Sequence, residues 1–325
     1  MMIHRRDFLK ASVGAIASST LAVASESPSP ALIAITLDLE MARNFPRWEE
    51  TGWDYEKGNL NQESKDYTLE AARRVKQAGG RLHTFAVGQT FEQENVDWMK
   101  QLIHEGHAIG NHTYDHVYLL AKDLPDLQYR FQRAPWLLEG RDVASALREN
   151  IRRCTQAMET RLGIKPAGFR TPGGFAQGLT GREDLQRMLL DLGFTWASCQ
   201  YPAHPIGEPM KRPASATIDG IIEAQKGAQP RRYPTGLLEI PMSPISDIGA
   251  FRNGRWELSW FLEAIGAVLD HCIAGGQCFD FLAHPSCLYV VDPKFQAIDL
   301  ICRKVVNAGP KAAIVTLDRF AERAR

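Results

Sequence analysis

Two histidines four residues apart are the first candidates for chemistry in this sequence. His112 and His116 stand in the segment GNHTYDH (110–116), which follows a short apolar run. Neutral imidazoles are frequent ligands of divalent metals, and two at this spacing can reach one ion from a single turn of backbone. A chain with nine histidines can also place two of them four apart by chance. The pair alone therefore leaves a metal site and a structural role open.

Two carboxylates close the first apolar run. Asp38 and Glu40 occur in TLDLE (36–40), and side chains two residues apart share one face of a β-strand. Parallel barrels carry their active sites at the carboxyl ends of the strands. One carboxylate could there bind a cation while the other removes a proton. The alternative is a solvated strand end that caps the following turn.

A third candidate is the arginine of FRTPGG (169–174). Arg170 ends an apolar segment, and Pro172 with the two glycines after it predicts a tight turn. An arginine beside a carboxylate keeps it ionised and fixes its orientation. Backbone N–H groups near Gly173 could also meet a developing oxyanion. An ordinary strand-exit turn with a surface arginine is the other interpretation.

The fourth candidate is the histidine of FDFLAHP (279–285). Alternation along this segment predicts that Asp280, Leu282 and His284 share one side of a strand that Pro285 ends. A histidine at a strand end with a carboxylate nearby can act as a general acid. A structural histidine is the alternative.

Apolar segments that alternate with amphipathic ones predict an α/β fold. The predicted strands are 31–37, 82–87, 108–109, 167–170, 194–198, 237–242, 278–283 and 312–315, and the main predicted helices are 66–78, 92–105, 143–162, 182–192, 257–272 and 295–306. This alternation predicts a parallel sheet closed into a barrel, with an open doubly wound sheet as the alternative. The segments 117–142 and 201–235 break the pattern and predict long irregular loops that either line the site or only pack.

The N-terminus predicts export. Arg5 and Arg6 precede Phe8, Leu9 and Lys10, then small apolar residues follow as far as Ala24. Residues 1–24 resemble a twin-arginine signal read by the twin-arginine export machinery, and 25–30 a short tether. We expect a periplasmic or secreted mature chain without stable membrane insertion; an uncleaved anchor is the alternative.

Composition excludes some partners and limits the role of the cysteines. The 38 basic and 38 acidic residues give no basic field for nucleic acid. The six cysteines form no CxxC pair, and several are expected to be small buried hydrophobes, although export would permit a disulfide.

Taken in chain order, the four motifs resemble the polysaccharide deacetylase family, also called the NodB-homology or carbohydrate esterase family 4 group. The resemblance spans about residues 33 to 320, and the family's His-Ser/Thr-x-x-His stands here as HTYDH (112–116). It implies a single-domain, distorted parallel (β/α)7-type barrel over residues 31–325. It also implies one divalent ion, commonly zinc and sometimes cobalt, and hydrolysis of an amide on an N-acetylated sugar or a related molecule.

The resemblance also implies roles for individual residues. It makes His112 and His116 metal ligands, Asp38 the base, Arg170 the partner of that base, and His284 the acid that protonates the leaving amine. Leu282 would line the pocket for the acyl group.

The sequence departs from the family's pattern in two places. The family's second aspartate, its third metal ligand, falls on Leu39, which cannot ligate, so Glu40 is the nearest carboxylate and the expected ligand. The segment 196–201 lacks the acidic residue that the family often carries there. A carboxylate partner for His284 must then come from elsewhere, with Asp280 and Asp247 as candidates.

The expected function is that of a metal-dependent hydrolase of carbon–nitrogen bonds other than peptide bonds, most simply one that deacetylates an N-acetylated sugar of a cell-wall or other polysaccharide. Hydrolysis of a non-sugar amide, such as a cyclic imide or ureide, is one alternative. A relative that binds carbohydrate without catalysis is another. The sequence leaves the substrate, the native metal and the oligomeric state open.

Overall fold

The structure, a computed structural model, describes residues 29–40 and 57–325. The expected export signal (1–24) and most of the tether (25–30) lie outside these residues and remain predictions. The described residues form nine strands: β1 (Ala31–Leu39), β2 (His83–Ala86), β3 (Ala108–Asn111), β4 (Gly168–Phe175), β5 (Trp196–Gln200), β6 (Arg231–Arg232), β7 (Leu238–Glu239), β8 (Cys278–Ala283) and β9 (Ala312–Ile314).

Helices follow most of these strands, as the alternation predicts. The α-helices of the described residues are α1 (Gln62–Gln77), α2 (Asp97–His104), α3 (Tyr129–Arg133), α4 (Val143–Leu162), α5 (Glu183–Asp191), α6 (Ser215–Lys226), α7 (Leu258–Gly275), α8 (Pro285–Val291), α9 (Gln296–Ala308) and α10 (Leu317–Arg323). A π-helix spans Ile248–Asn253.

The strands form one curled sheet in the order β6-β7-β5-β4-β3-β2-β1-β8, and β9 pairs with the first residues of β1. All ladders are parallel except that between β6 and β7. Beyond β7 the chain bends towards β8, where Ser243 N–H donates to the Asp280 carbonyl (3.1 Å) and Ser243 Oγ accepts from Asp280 N–H (2.8 Å). The expected distorted parallel barrel in a single domain is confirmed.

Burial explains the apolar character of β1. Its sequence, ALIAITLDL, is buried along almost its whole length, as expected for a parallel strand covered on both faces. Helices α1, α7 and α9 cover it from outside through Tyr67, Phe261 and Ile298. Among the described helices, α7 alone is long and apolar enough to cross a bilayer, and its apolar side chains pack into this core.

Two sequence predictions of local structure were wrong, and one helix, α8, was not predicted. The segment 201–235 is not irregular throughout, because α6 lies within it and buries Ile221 against α7. The helix predicted over 92–105 begins only at Asp97, after a 3-10 turn at Gly88–Glu92. Helix α8 follows directly on β8, where Pro285 occupies a first-turn position that needs no backbone donor.

The cysteines behave as expected. All six are free and buried, so the structure contains no disulfide among them. Burial raises the pKa of the Cys154 thiol to about 12, which keeps it protonated and unreactive at neutral pH.

Candidate active site and metal centre

The carboxyl edge of the sheet gathers all six predicted site residues. Asp38 is the last but one residue of β1 and Glu40 follows the strand. The two histidines of HTYDH follow β3, Arg170 lies in β4, and His284 follows β8. Parallel pairing brings these strand ends to the same edge. Four of the six line a cavity of about 250 Å³: Asp38, Glu40, His116 and His284. The other two are fully buried: His112 contacts Glu40 and Arg170 contacts Asp38.

Three donor atoms converge at one corner of this cavity. Glu40 Oε2 lies 3.0 Å from His112 Nε2 and 2.5 Å from His116 Nε2. The other nitrogen of His112, Nδ1, lies 3.0 Å from the Arg170 carbonyl, so it acts as the donor and leaves Nε2 as an acceptor. Two imidazoles and a carboxylate, with the second nitrogen of a ligand histidine held in this way, match the donor set of an open zinc site. These residues fit one divalent ion.

The loop that carries the histidines is held in an unusual backbone shape. Thr113 and His116 both have positive φ (63° and 58°), a region that non-glycine residues rarely adopt. Asn111 Oδ1 accepts the Thr113 N–H (2.8 Å), and Asn150 Oδ1 accepts the N–H groups of the two residues that follow (2.8 and 2.9 Å). These side chains offset the strain and hold both imidazoles towards Glu40.

Electrostatics keep the donors in the forms that bind metal. Burial would raise the pKa of Glu40, but its contacts with Lys57 and with the imidazoles of His116 and His112 hold it well below its usual value. Burial lowers the pKa of His116 to about 4 against the opposing effect of Glu40. At neutral pH Glu40 is therefore an anion and His116 a neutral imidazole, as ligation requires.

Arg170 fixes the expected base. Its Nη1 donates to Asp38 Oδ1 (3.1 Å) and to Thr36 Oγ1 (2.7 Å), and its Nη2 pairs with Asp280. The guanidinium carbon also lies 4.2 Å from the centre of the Phe85 ring. A guanidinium held on several sides leaves Asp38 little freedom to turn away from the cavity.

The structure identifies the partner of His284. Asp247, not Asp280, accepts from His284 Nδ1 (2.9 Å) through Oδ1 and from the His284 backbone N–H (2.7 Å) through Oδ2. Burial alone would lower the pKa of His284, but the charge and hydrogen bond of Asp247, with smaller contributions from Glu40 and Asp38, raise it to about 9. The imidazole is therefore protonated at neutral pH and faces the cavity with Nε2.

Sequence reasoning missed several residues of the cavity. Leu282 and Gly173 line it as expected. Lys57, Tyr201 and Arg252 were not identified, although each also lines it. Tyr201 directly follows β5 and Arg252 lies in the π-helix, but neither belongs to one of the four motifs. Lys57 lies in a polar stretch with no periodic pattern.

Comparison with known proteins agrees with this geometry. The sequence model of the family named Polysaccharide deacetylase matches residues 55–193, which contain both histidines and Arg170. The resemblance to the polysaccharide deacetylases is confirmed. That family comprises hydrolases that act on carbon–nitrogen bonds. The first-strand carboxylates and His284 fall outside the matched segment, so for them the agreement rests on geometry.

Solved structures show the same fold. A Mycobacterium smegmatis protein assigned to the polysaccharide deacetylases is 16% identical with a TM-score of 0.61, over 93% of each chain. A Pseudomonas aeruginosa PAO1 protein assigned to the same family is 14% identical with a TM-score of 0.60, over 90% of each. PuuE allantoinase is 14% identical with a TM-score of 0.56, over 92% of this chain and 93% of its own. No curated protein sequence matches the chain.

Proposed function

We propose that this protein is a metal-dependent hydrolase of non-peptide carbon–nitrogen bonds that removes the acetyl group from an N-acetylated sugar of a polysaccharide. The observation that carries the proposal is the convergence of His112, His116 and Glu40 on one point beside Asp38 and His284. A base, an acid and a metal donor set around one cavity are the parts that amide hydrolysis needs.

Different side chains of the protein would carry out different steps of the hydrolysis. A divalent ion, zinc by its donor set, would supply Lewis-acid chemistry that lowers the pKa of a water from about 16 to about 7. Asp38, held by Arg170, accepts the proton of the attacking water. His284, protonated by virtue of Asp247, donates a proton to the leaving nitrogen, which would otherwise depart as an unstable anion. A backbone N–H near Gly173, which lines the cavity, would donate to the acyl oxygen.

The cavity suits a small acyl group. Leu282 and Met242 contribute apolar surface beside the charged groups, so an acetyl methyl can be buried there while the sugar stays at the mouth. The family match supports a carbohydrate substrate.

A small cyclic amide, such as an imide or ureide, is the second candidate. The cavity of about 250 Å³ lies below the roughly 300–1,000 Å³ of common ligand pockets. Ile248 and Arg252 of the π-helix cover one side of it. The fold similarity to an allantoinase is consistent with this chemistry.

Metal analysis and product assays test the proposal. Purified protein should contain one divalent ion per chain and release acetate from acetylated sugars or peptidoglycan fragments; ring opening of cyclic imides would instead indicate the second candidate. The variant His284→Ala should lose turnover but keep its metal, whereas the exposed His104→Ala should change neither. Full activity of His284→Ala would refute the assignment of His284 as the general acid. A protein that contains metal but is inactive on every substrate would indicate a relative that binds carbohydrate without catalysis.

The N-terminal sequence supports a location outside the cytoplasm. Residues 1–24 contain the adjacent Arg5 and Arg6 and the small apolar stretch of a twin-arginine signal. A periplasmic or secreted enzyme would meet cell-wall polysaccharide directly. Changing both arginines to lysine should retain the protein in the cytoplasm, as measured by cell fractionation.

A further inference from the structure

Glu40 uses its two carboxylate oxygens for different partners. Oε2 faces both histidines, whereas Oε1 lies 2.5 Å from Lys57 Nζ and 3.6 Å from His284 Nε2. The expected ligand of the divalent ion is therefore also the counter-ion of a lysine. None of the four motifs accounts for this lysine.

Lys57 is built into the site. Its side chain is only 2% exposed. The neighbouring Gly58 N–H donates to the Glu40 carbonyl (2.8 Å). Gly58 has φ +85°, and a Cβ there would lie 2.6 Å from Gln89 Cβ, so the close approach of residue 58 to Gln89 requires glycine. The backbone thus holds the ammonium beside Glu40 and limits its ability to move away.

The ammonium also lies close to where an ion would bind. Lys57 Nζ is 3.5 Å from His116 Nε2, and a zinc–nitrogen bond measures about 2.1 Å. An ion bound to that nitrogen would therefore stand no further than about 5.6 Å from the ammonium. Like charges at such separations repel strongly in a buried site, where the effective dielectric constant is well below that of water.

We propose that Lys57 is an internal cation that competes with the divalent ion for Glu40 and weakens its binding. The inference rests on the proposed function to the extent that His112, His116 and Glu40 hold that ion. In the metal-free protein the ammonium compensates the buried carboxylate. When the ion enters, Glu40 is shared between two cations, so part of the binding free energy is lost to their repulsion. The protein should therefore be stable without metal and exchange its ion readily.

Zinc titration of chelator-treated protein by calorimetry, with a competing chelator of known affinity, tests this. Lys57→Met removes the charge and keeps most of the side-chain volume, and we expect it to bind zinc about tenfold more tightly or better. Lys57→Arg keeps the charge and should not gain affinity. Lys100→Met, a control that removes a charge at an exposed position, should bind as the unaltered protein does.

Thermal unfolding provides a second measurement. Metal-free Lys57→Met should melt at a lower temperature than the unaltered protein, because it buries Glu40 without its ammonium, and zinc should raise its melting temperature by a larger amount. Unchanged or weaker zinc affinity in Lys57→Met would overturn the inference, since it would mean that Lys57 only orients Glu40.

The outcome is separable from that of the proposed function. If the unaltered protein binds zinc and Lys57→Met gains nothing, the inference fails and the metal site stands. If neither protein binds zinc, both fail. If only Lys57→Met binds zinc, the inference is supported and the proposed function fails for zinc.

Discussion

The pairing of His284 with Asp247 gives the sharpest prediction about pH. Asp247→Asn removes the negative charge and keeps the shape of the side chain, so an oxygen can still accept one of the two hydrogen bonds from His284. The amide cannot stabilise an imidazolium as a carboxylate does. The variant should therefore hold His284 neutral over a range of pH where the native protein keeps it protonated.

The size of the effect follows from the pKa of His284. Burial alone would lower this pKa, but Asp247, with contributions from Glu40 and Asp38, raises it from 6.5 to about 9. Without the carboxylate, burial dominates and the pKa falls to roughly 6.5 or below. At pH 8 the protonated fraction would then drop from about nine-tenths to about 3%. If His284 is the acid, kcat at pH 8 should fall about 30-fold.

The same shift has a consequence for stability. A pKa raised on folding contributes stability that is complete below the unfolded value of about 6.5 and is lost as the pH rises towards about 9. The variant should therefore be destabilised most at acidic to neutral pH, and the difference in the free energy of unfolding should shrink above pH 9.

Rate profiles between pH 5 and 10 check this reasoning. The alkaline limb of kcat should move from near pH 9 to about pH 6.5 or lower in Asp247→Asn, with the metal content unchanged. Asp191→Asn removes an exposed carboxylate and should leave the profile as it is. An alkaline limb that stays near pH 9 in Asp247→Asn would refute Asp247 as the source of the shift or His284 as the acid.

Three further changes test other parts of the structure. His116→Ala should lower metal affinity by more than the roughly 10–100-fold typical of changes around ligands, measured by elemental analysis after dialysis. Arg170→Lys should reduce kcat about 100-fold at constant metal content, because lysine cannot hold two carboxylates in one plane; an unchanged kcat would contradict the positioning role. Gly168→Ala should lower the free energy of unfolding by about 1–3 kcal/mol, since its Cβ would lie 1.9 Å from the Trp196 ring, whereas Gly227→Ala meets only one carbonyl, 3.6 Å away.

The strand-end residues were predictable because parallel strands obey a simple geometric rule. Their carboxyl ends meet at one edge, so Asp38, Arg170 and His284 could be expected together although more than 240 residues separate the first from the last. The alternation that placed Leu282 and His284 on one side of β8 needed no knowledge of the rest of the chain. The register of β1 with β8 then fixes which of these side chains face each other.

The partners of these residues were not predictable in the same way. Asp247 lies 37 residues before the histidine it contacts, at the start of a π-helix, and Lys57 lies 17 residues after Glu40. Neither stands in a periodic segment, so hydrophobic patterning carries no information about them. Asp280 was predicted to lie on the same side of its strand as His284 and was one of two candidate partners of that histidine. Only the three-dimensional structure shows that Asp280 pairs with Arg170, whereas Asp247 pairs with His284.

These partners explain how one small region can bury four carboxylates. An isolated buried carboxylate would take up a proton rather than stay charged, yet the base and the metal ligand must both be anions. Each carboxylate here contacts a cation: Glu40 pairs with Lys57, Asp38 and Asp280 share Arg170, and Asp247 pairs with His284. Charge is therefore largely compensated before any metal binds. A divalent ion would then add charge to a site already close to balance, so the free energy of metal binding must come mainly from the three converging donors and not from uncompensated acidity.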